Sequence, residues 1–190
     1  KERITLVHAH HRMAAFYAEL CAPKGVTKVA NAHNTFTDKK KLTQFAYRDT
    51  RVIAVGERVW ENLTEHFGIP KERVCVIHNA VKPFDGRGMP VELLNRARTE
   101  GNVLIGNVGR LSEQKGMQYF VEAAEITAKS HPEARFIIVG DGEEKERLQQ
   151  SAAAKKLQEK VFFLGYRDDI QNVMSQLDFI VLSSLWEGLP

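Results

Sequence analysis

Short apolar runs alternate with stretches of helical period along the whole chain. In the first half, the runs Ile4 to His8, Thr27 to Ala32, Arg51 to Val55 and Val74 to Ile77 predict strands, and the segments Arg12 to Ala22, Lys39 to Tyr47 and Glu57 to Phe67 predict the helices between them. The second half repeats the pattern with Asn102 to Val108, Arg135 to Val139, Val161 to Leu164 and Asp178 to Leu182. These later runs are nearly continuous rather than alternating, as expected of parallel strands covered by helices on both faces. After Lys115, the residues Met117, Phe120, Val121, Ala124 and Ala128 fall on one side of a helix, the spacing of an element packed on a sheet. Strand and helix in strict alternation predict an α/β fold of βαβ units.

Asn79 to Gly101 interrupts this order with Pro83, Gly86, Gly88 and Pro90, and reads as a crossing between two lobes. The expected architecture is two Rossmann-like lobes with parallel sheets: residues 1–82, a linker and helix over 83–101, and residues 102–190. Each lobe offers about four strands where a doubly wound sheet has about five or six. Both lobes therefore read as incomplete, and the chain as a central fragment of a larger enzyme that lacks its flanking segments.

Composition narrows the class without naming a function. With 190 residues and 43% apolar content, the chain can bury a sizeable core. A net charge of +3 is too weak and too scattered to argue for nucleic acid. Lys39-Lys40-Lys41 reads as a solvated loop or helix start, with contact to phosphate or anionic lipid as the other reading. Cys21 and Cys75 read as small core residues of a protein in a reducing compartment. No apolar stretch reaches the roughly 18 residues that cross a bilayer, and no signal-peptide pattern opens the chain. A cytoplasmic location is expected, with contact at a membrane surface left open.

The candidate chemistry begins at Val103. An apolar strand (Val103-Leu104-Ile105), a tight turn at Gly106-Asn107-Val108-Gly109, and a helix opening from Arg110 to Gly116 would form an anion grip. Glycines let backbone approach an anion, a helix N-terminus presents unpaired N–H groups, and Arg110 and Lys115 can converge on one diphosphate. The alternative is an exposed first helical turn with solvated cations. Two neighbouring strands also end in glycine turns, at Gly140-Asp141-Gly142 and at Gly165, the latter followed by Tyr166-Arg167-Asp168-Asp169. Backbone groups near Tyr166 could read the edge of a nucleobase, with the ring free to stack. The competing reading is an ordinary turn with Asp168 or Asp169 capping the next helix. Gly140-Asp141-Gly142 is a poor dinucleotide fingerprint, because Lys145 stands in place of its third glycine, and the chain has no Gly-x-x-x-x-Gly-Lys-Ser/Thr loop.

Of His8, His10 and His11, only His8 and His10 would share one strand face, and that pair lacks a third ligand at recognisable spacing, so no metal is expected. His33 follows a strand in the loop Ala32-His33-Asn34-Thr35, at a carboxyl end where sites form. Glu187, beside Gly188 and Leu189, follows the last apolar run and suits hydrogen bonds to sugar hydroxyls; its plainer reading is a helix-start acid.

As an ordered set, these residues resemble the family 4 glycosyltransferases of the GT-B fold. The resemblance rests on Val7-His8-Ala9-His10, the His33 loop, Ile53-Ala54-Val55-Gly56-Glu57, Val76-Ile77-His78-Asn79-Ala80-Val81, Val108-Gly109-Arg110-Leu111 with Lys115-Gly116, Val139-Gly140-Asp141-Gly142, Phe163-Leu164-Gly165, and Ser184 to Pro190. It implies a retaining transferase that uses a nucleotide-diphosphate sugar, with UDP-sugar preferred and GDP-sugar as the alternative. The acceptor would be a glycan, lipid or other hydroxyl, in polysaccharide and cell-envelope synthesis. By this similarity, Arg110 and Lys115 neutralise the diphosphate, Gly109 lies beside it, and the backbone at Tyr166 and Arg167 contacts the base. Glu187 touches the transferred sugar, as the first glutamate of the family's Glu-x7-Glu motif, with the Gly188 and Leu189 amides near the phosphates. His33 stands near sugar and acceptor, and neither cofactor nor metal is implied. The motif's second glutamate would fall beyond Pro190, and the family's N-terminal Gly-rich loop and much of its acceptor surface would precede Lys1, so the chain alone is expected to be inactive; Gly56 and Ala80, in place of the family's usual serine and glycine, bear only on local turn geometry. A nucleotide-sugar binding module without transfer, or a GT-B sugar-nucleotide epimerase, would carry the same residues.

Overall fold

A computed structural model describes residues 3–86 and 88–188. The chain divides into two compact units, one running to Val81 and including Glu187 and Gly188, the other spanning Lys82–Trp186. Each contains a four-stranded sheet, parallel throughout.

In the first unit the elements run β1 (Leu6–Ala9), α1 (Arg12–Cys21), β2 (Thr27–Ala32), α2 (Lys40–Ala46), β3 (Arg51–Ala54), α3 (Glu57–Glu61) and β4 (Val74–Val76). The strands pair in chain order, β1-β2-β3-β4. Ala30, Ala32 and Ala54 keep the sheet surface flat, and Tyr47, Val59, Leu63 and Phe67 pack into the same fully buried core. Lys39 to Lys41 are exposed around the start of α2, the solvated reading of that run.

The second unit comprises α4 (Glu92–Thr99), β5 (Val103–Val108), α5 (Met117–Ser130), β6 (Ala134–Val139), α6 (Lys145–Ala154), β7 (Val161–Gly165), α7 (Ile170–Ser175) and β8 (Phe179–Ile180). Its sheet order is β7-β6-β5-β8. Central β6 shows why its sequence is apolar at every position from Phe136 to Val139. Phe136 and Ile138 pack with Phe120, Val121 and Leu148 of α5 and α6, whereas Ile137 and Val139 pack with Leu94, Ala97 and Val173 of α4 and α7. The strand order reverses direction at β5, so a crevice opens at the carboxyl end of that strand, the usual ligand position in open α/β sheets.

Four expectations are corrected. Gly106 to Val108 continue β5 rather than turning. A side chain at Gly106 would stand 2.2 Å from the Leu177 methyl, so that glycine makes room for packing, and Asn107 is buried with its amide donating to Ser183 Oγ at 2.8 Å. Cys21 and Cys75 are exposed, one at the end of α1 and the other on the edge strand β4. The helix expected over Glu57 to Phe67 changes at Asn62, where a single π turn (Asn62–His66) donates Phe67 N–H to the Asn62 carbonyl. The last strand is two residues long, with Phe179 61% exposed. Its only partner among the described residues is β5, and beyond Val181 the Ser183 side chain takes over from backbone pairing.

Candidate functional site

Three strand ends of the second unit are laced together through backbone. Gly109 N–H donates to the Val139 carbonyl (2.9 Å), Leu111 N–H to the Asp141 carbonyl (3.0 Å), Glu144 N–H to the Leu111 carbonyl (3.0 Å), and Gly140 N–H to the Gly165 carbonyl (2.8 Å). This approach needs a bare backbone opposite it. Gly140 has φ +137°, and a Cβ there would lie 1.9 Å from the Gly109 carbonyl oxygen. The glycines at this site thus bring two loops into contact.

Arg110 does not open a helix, contrary to expectation. Leu111 beside it is fully buried, and its N–H and carbonyl are both committed to the β6–α6 loop. The chain then makes one 3-10 turn over Glu113–Lys115, and α5 starts only at Met117. The Arg110 guanidinium lies free of the core, at the rim of a cavity of about 440 Å³ lined also by Gly109, Asp141, Tyr166, Arg167 and Ile170. Lys115 is not among the cavity's lining residues, but its stem runs beside Gly109, 3.6 Å from where a Cβ there would be. Both cations therefore border the end of β5.

The charges are partnered in ways the sequence does not announce. Arg110 Nε and Nη2 donate to one oxygen of Glu143 at 3.3 and 3.0 Å. The Glu143 carboxyl sits below its ordinary range, chiefly because of a backbone hydrogen bond, with Arg110 adding to it. Arg167 forms a two-pronged pair with Asp169, each contact 2.8 Å. Asp169 also accepts from Asn172 at 2.9 Å. Arg167 first, then Asn172, hold the Asp169 carboxyl down at about 2. Asp169 stands at the start of α7 without capping it through its side chain, which corrects that reading of the turn. The ring of Tyr166 is 71% exposed and open to stacking. The Asp141 carboxyl is lowered by the Gly142 N–H and then by Lys145.

The chain returns beside this loop at Ser183. Ser183 Oγ accepts from Asn107 and donates to the Lys115 carbonyl (2.9 Å), Leu185 N–H donates to the Gln114 carbonyl (2.8 Å), and the Gln114 amide donates to the Trp186 carbonyl (3.0 Å). Glu187 follows directly, in irregular backbone rather than a helix. Leu189 lies outside the described residues.

His33 belongs to the first unit, in the loop after β2. Its ring stacks on His10 (centroids 6.2 Å apart, planes 19° apart), His10 lies 4.3 Å from His8, and His8 Nε2 meets Asn31 Oδ1 at 2.8 Å. His11 caps α1 by accepting the Met13 N–H. Among the described residues, no three His, Cys, Asp or Glu side chains are grouped to hold a metal ion, and no helix is long and apolar enough to cross a membrane.

Two family models match the chain: group 1 glycosyl transferases over residues 95–190 and glycosyltransferase family 4 over residues 1–83. The UDP-Gal:alpha-D-GlcNAc-diphosphoundecaprenol alpha-1,3-galactosyltransferase of Escherichia coli is 29% identical, the match covering 100% of this chain and 54% of that protein. The 2-deoxystreptamine glucosyltransferase of Streptomyces kanamyceticus is 28% identical over 75% of this chain and 38% of its own length. The chain thus spans about half the length, or less, of these curated relatives. In fold it is similar to Anabaena HepE in complex with UDP-glucose, with TM-score 0.78, 24% identity, and 95% and 53% of the two chains covered.

Proposed function

The chain belongs to the group 1 glycosyl transferases and carries the GT-B pair of parallel-sheet units, and from that premise we propose that the complete enzyme transfers a sugar with retention from a nucleotide-diphosphate sugar to a glycan, lipid or other hydroxyl acceptor. The observation that carries this reading is the cavity at the carboxyl ends of β5, β6 and β7, rimmed by Arg110 and Tyr166. A diphosphate leaving group gains negative charge as its bond to the anomeric carbon breaks. Arg110, released from Glu143, and Lys115 would stabilise that charge, the part a bound metal plays in other transferases. The base would lie toward Tyr166 and the backbone at Arg167, and Glu187 with the Gly188 and Leu189 amides would meet the sugar and phosphates. His33 would serve sugar and acceptor from the first unit.

UDP is preferred over GDP as the nucleotide. Support comes from the galactosyltransferase relative, whose name specifies UDP-Gal, and from HepE, whose complexes contain UDP and UDP-glucose. The enzyme would act in the cytoplasm, meeting any lipid-linked acceptor at a membrane surface. The test is a thermal-shift comparison of UDP-glucose, GDP-mannose and ADP-glucose on the full-length protein. A ligand bound only by the folded state at a hundredfold excess over Kd raises the melting temperature by about 5 °C. A shift with the UDP-sugar alone is expected, and no shift with any of the three overturns the donor site.

A further inference from the structure

Between β2 and α2 the chain runs from His33 to Lys39, and among the described residues His33 to Asp38 make no backbone–backbone hydrogen bond. A loop with so little pairing of its own is expected to wander. Here two side chains from elsewhere in the first unit hold it. The Asn62 carboxamide takes both polar groups of one residue: Phe36 N–H donates to Asn62 Oδ1 at 3.0 Å, and Asn62 Nδ2 donates to the Phe36 carbonyl at 2.9 Å. That is the exchange a neighbouring strand residue would make, supplied by an amide. Arg12 Nη1 donates to the Asp38 carbonyl (3.4 Å), to Asp38 Oδ1 (3.2 Å) and to Thr43 Oγ1 (3.2 Å), while its guanidinium carbon lies 4.0 Å from the centre of the Phe36 ring. Arg12 is only 9% exposed.

Asn62 is set by the π turn. It is the first residue of Asn62–His66, its carbonyl receives Phe67 N–H, and the neighbouring Leu63 and Phe67 side chains are fully buried. Single π turns recur at functional positions, because the extra residue redirects a side chain that a regular helix would point elsewhere. At the other end of the loop, His33 is stacked on His10.

We propose that Asn62, supported by Arg12, is a positioning residue for His33: its amide fixes the Phe36 backbone and so the placement of the imidazole three residues earlier. This rests on the transferase reading given above. The Asn62 amide bonds to Phe36 rather than to His33, and its effect passes through the loop. Misplacing a reacting group by about 1 Å costs up to about a hundredfold in rate, so Asn62→Ala is expected to lower kcat by about ten- to a hundredfold. Donor KM should change by less than about twofold, because the cavity lies in the other unit.

The test follows nucleoside diphosphate release by the full-length protein from UDP-glucose, UDP-N-acetylglucosamine and GDP-mannose, with water accepting the sugar in place of the natural hydroxyl acceptor and kinetics measured on the fastest donor. Asn62→Ala, His33→Ala and the double variant form a cycle, with circular-dichroism melting of each. The expected result is a kcat loss in Asn62→Ala that adds nothing to the loss in His33→Ala, since two residues acting through one group are not additive. Should the alanine variant melt below the assay temperature, the isosteric Asn62→Asp takes its place; it keeps the acceptor for Phe36 N–H but sets a carboxylate against the Phe36 carbonyl. Wild-type kcat in the Asn62 variant, or a loss that multiplies with that of His33→Ala, overturns the positioning role alone. No release from any donor by the wild type overturns the transferase reading and this role with it.

Discussion

The loop after β5 in the second unit and the loop after β2 in the first carry the two groups of candidate residues, and they are held in opposite ways. Gly109 and Leu111 are fixed by their own peptide groups against the end of β6 and the β6–α6 loop. His33 and its neighbours are fixed by the side chains of Asn62 and Arg12, with no backbone lacing among the described residues. Backbone lacing demands contact distances that only a residue without Cβ allows, so it leaves glycines in the sequence. Side-chain clamping demands one amide at the right place, and leaves no pattern. The first device suits a site that must not yield when a charged ligand arrives. The second confines a loop through a few replaceable contacts.

The contrast is broken most severely at Gly140. A methyl there would overlap the Gly109 carbonyl at 1.9 Å, in a backbone region that other residues rarely adopt. Strain and overpacking each cost about 1–3 kcal/mol, so Gly140→Ala should lose about 3 kcal/mol in urea denaturation. A loss below about 1 kcal/mol would show that the lacing yields easily. The next largest effect is on turnover: Arg110→Ala or Lys115→Ala in the complete enzyme should each reduce it more than about tenfold, roughly 1.4 kcal/mol of transition-state stabilisation, with little change in melting temperature. Near-normal rates in both would remove the diphosphate assignment. Smaller still is Glu143→Gln, which frees Arg110 from an exposed partner. It should tighten UDP binding about two- to fivefold in calorimetry, as the competing ion pair is a weak one, and weaker binding would mean that Glu143 orients Arg110 toward the ligand.

The same contrast explains what could be read from the chain. Thr27–Ala32 forms β2 as expected, and Arg135 to Val139 lies within β6, whose Phe136 to Val139 run is apolar throughout because helices cover both faces of that strand. Met117, Phe120, Val121 and Ala124 are buried on one face of α5 as their spacing implies. Arg110, Tyr166 and Arg167 could be gathered in advance, since neighbouring parallel strands deliver their carboxyl ends to one edge. The partner of Arg110 and the clamp on Phe36 could not. Glu143 lies 33 residues from Arg110 and Asn62 lies 26 from Phe36, and only the folded chain makes either pair neighbours. The π turn was equally silent, because Val59, Leu63 and Phe67 keep a spacing that an ordinary helix would also use. The cysteines misled for a simpler reason: residue type favours burial, but Cys75 sits on an edge strand and Cys21 at a helix end, where one side is water.

The smallest predicted effect separates the two kinds of tie by pH. The peptide hydrogen bonds of the Gly109 loop contain no group that titrates, whereas the side-chain tie beside the cavity, Arg167 to Asp169, depends on an ionised carboxylate. The Asp169 carboxyl is held at about 2, below its ordinary 3.8, by Arg167 and then Asn172. A carboxyl depressed in the folded state stabilises that state fully above its unfolded value, and the contribution fades as pH falls from there through the folded value. The urea midpoint of the wild type should therefore exceed that of Asp169→Asn by a constant margin from pH 7 down to about 5, and the margin should close between about pH 4 and pH 2. Asp141, whose carboxyl is also lowered, by the Gly142 N–H and Lys145, titrates in both proteins and cancels in the difference. A margin that stays constant through that window would mean that Asp169 contributes by shape and neutral hydrogen bonding, and the tie between Arg167 and Asp169 would then be as indifferent to charge as the lacing of the Gly109 loop.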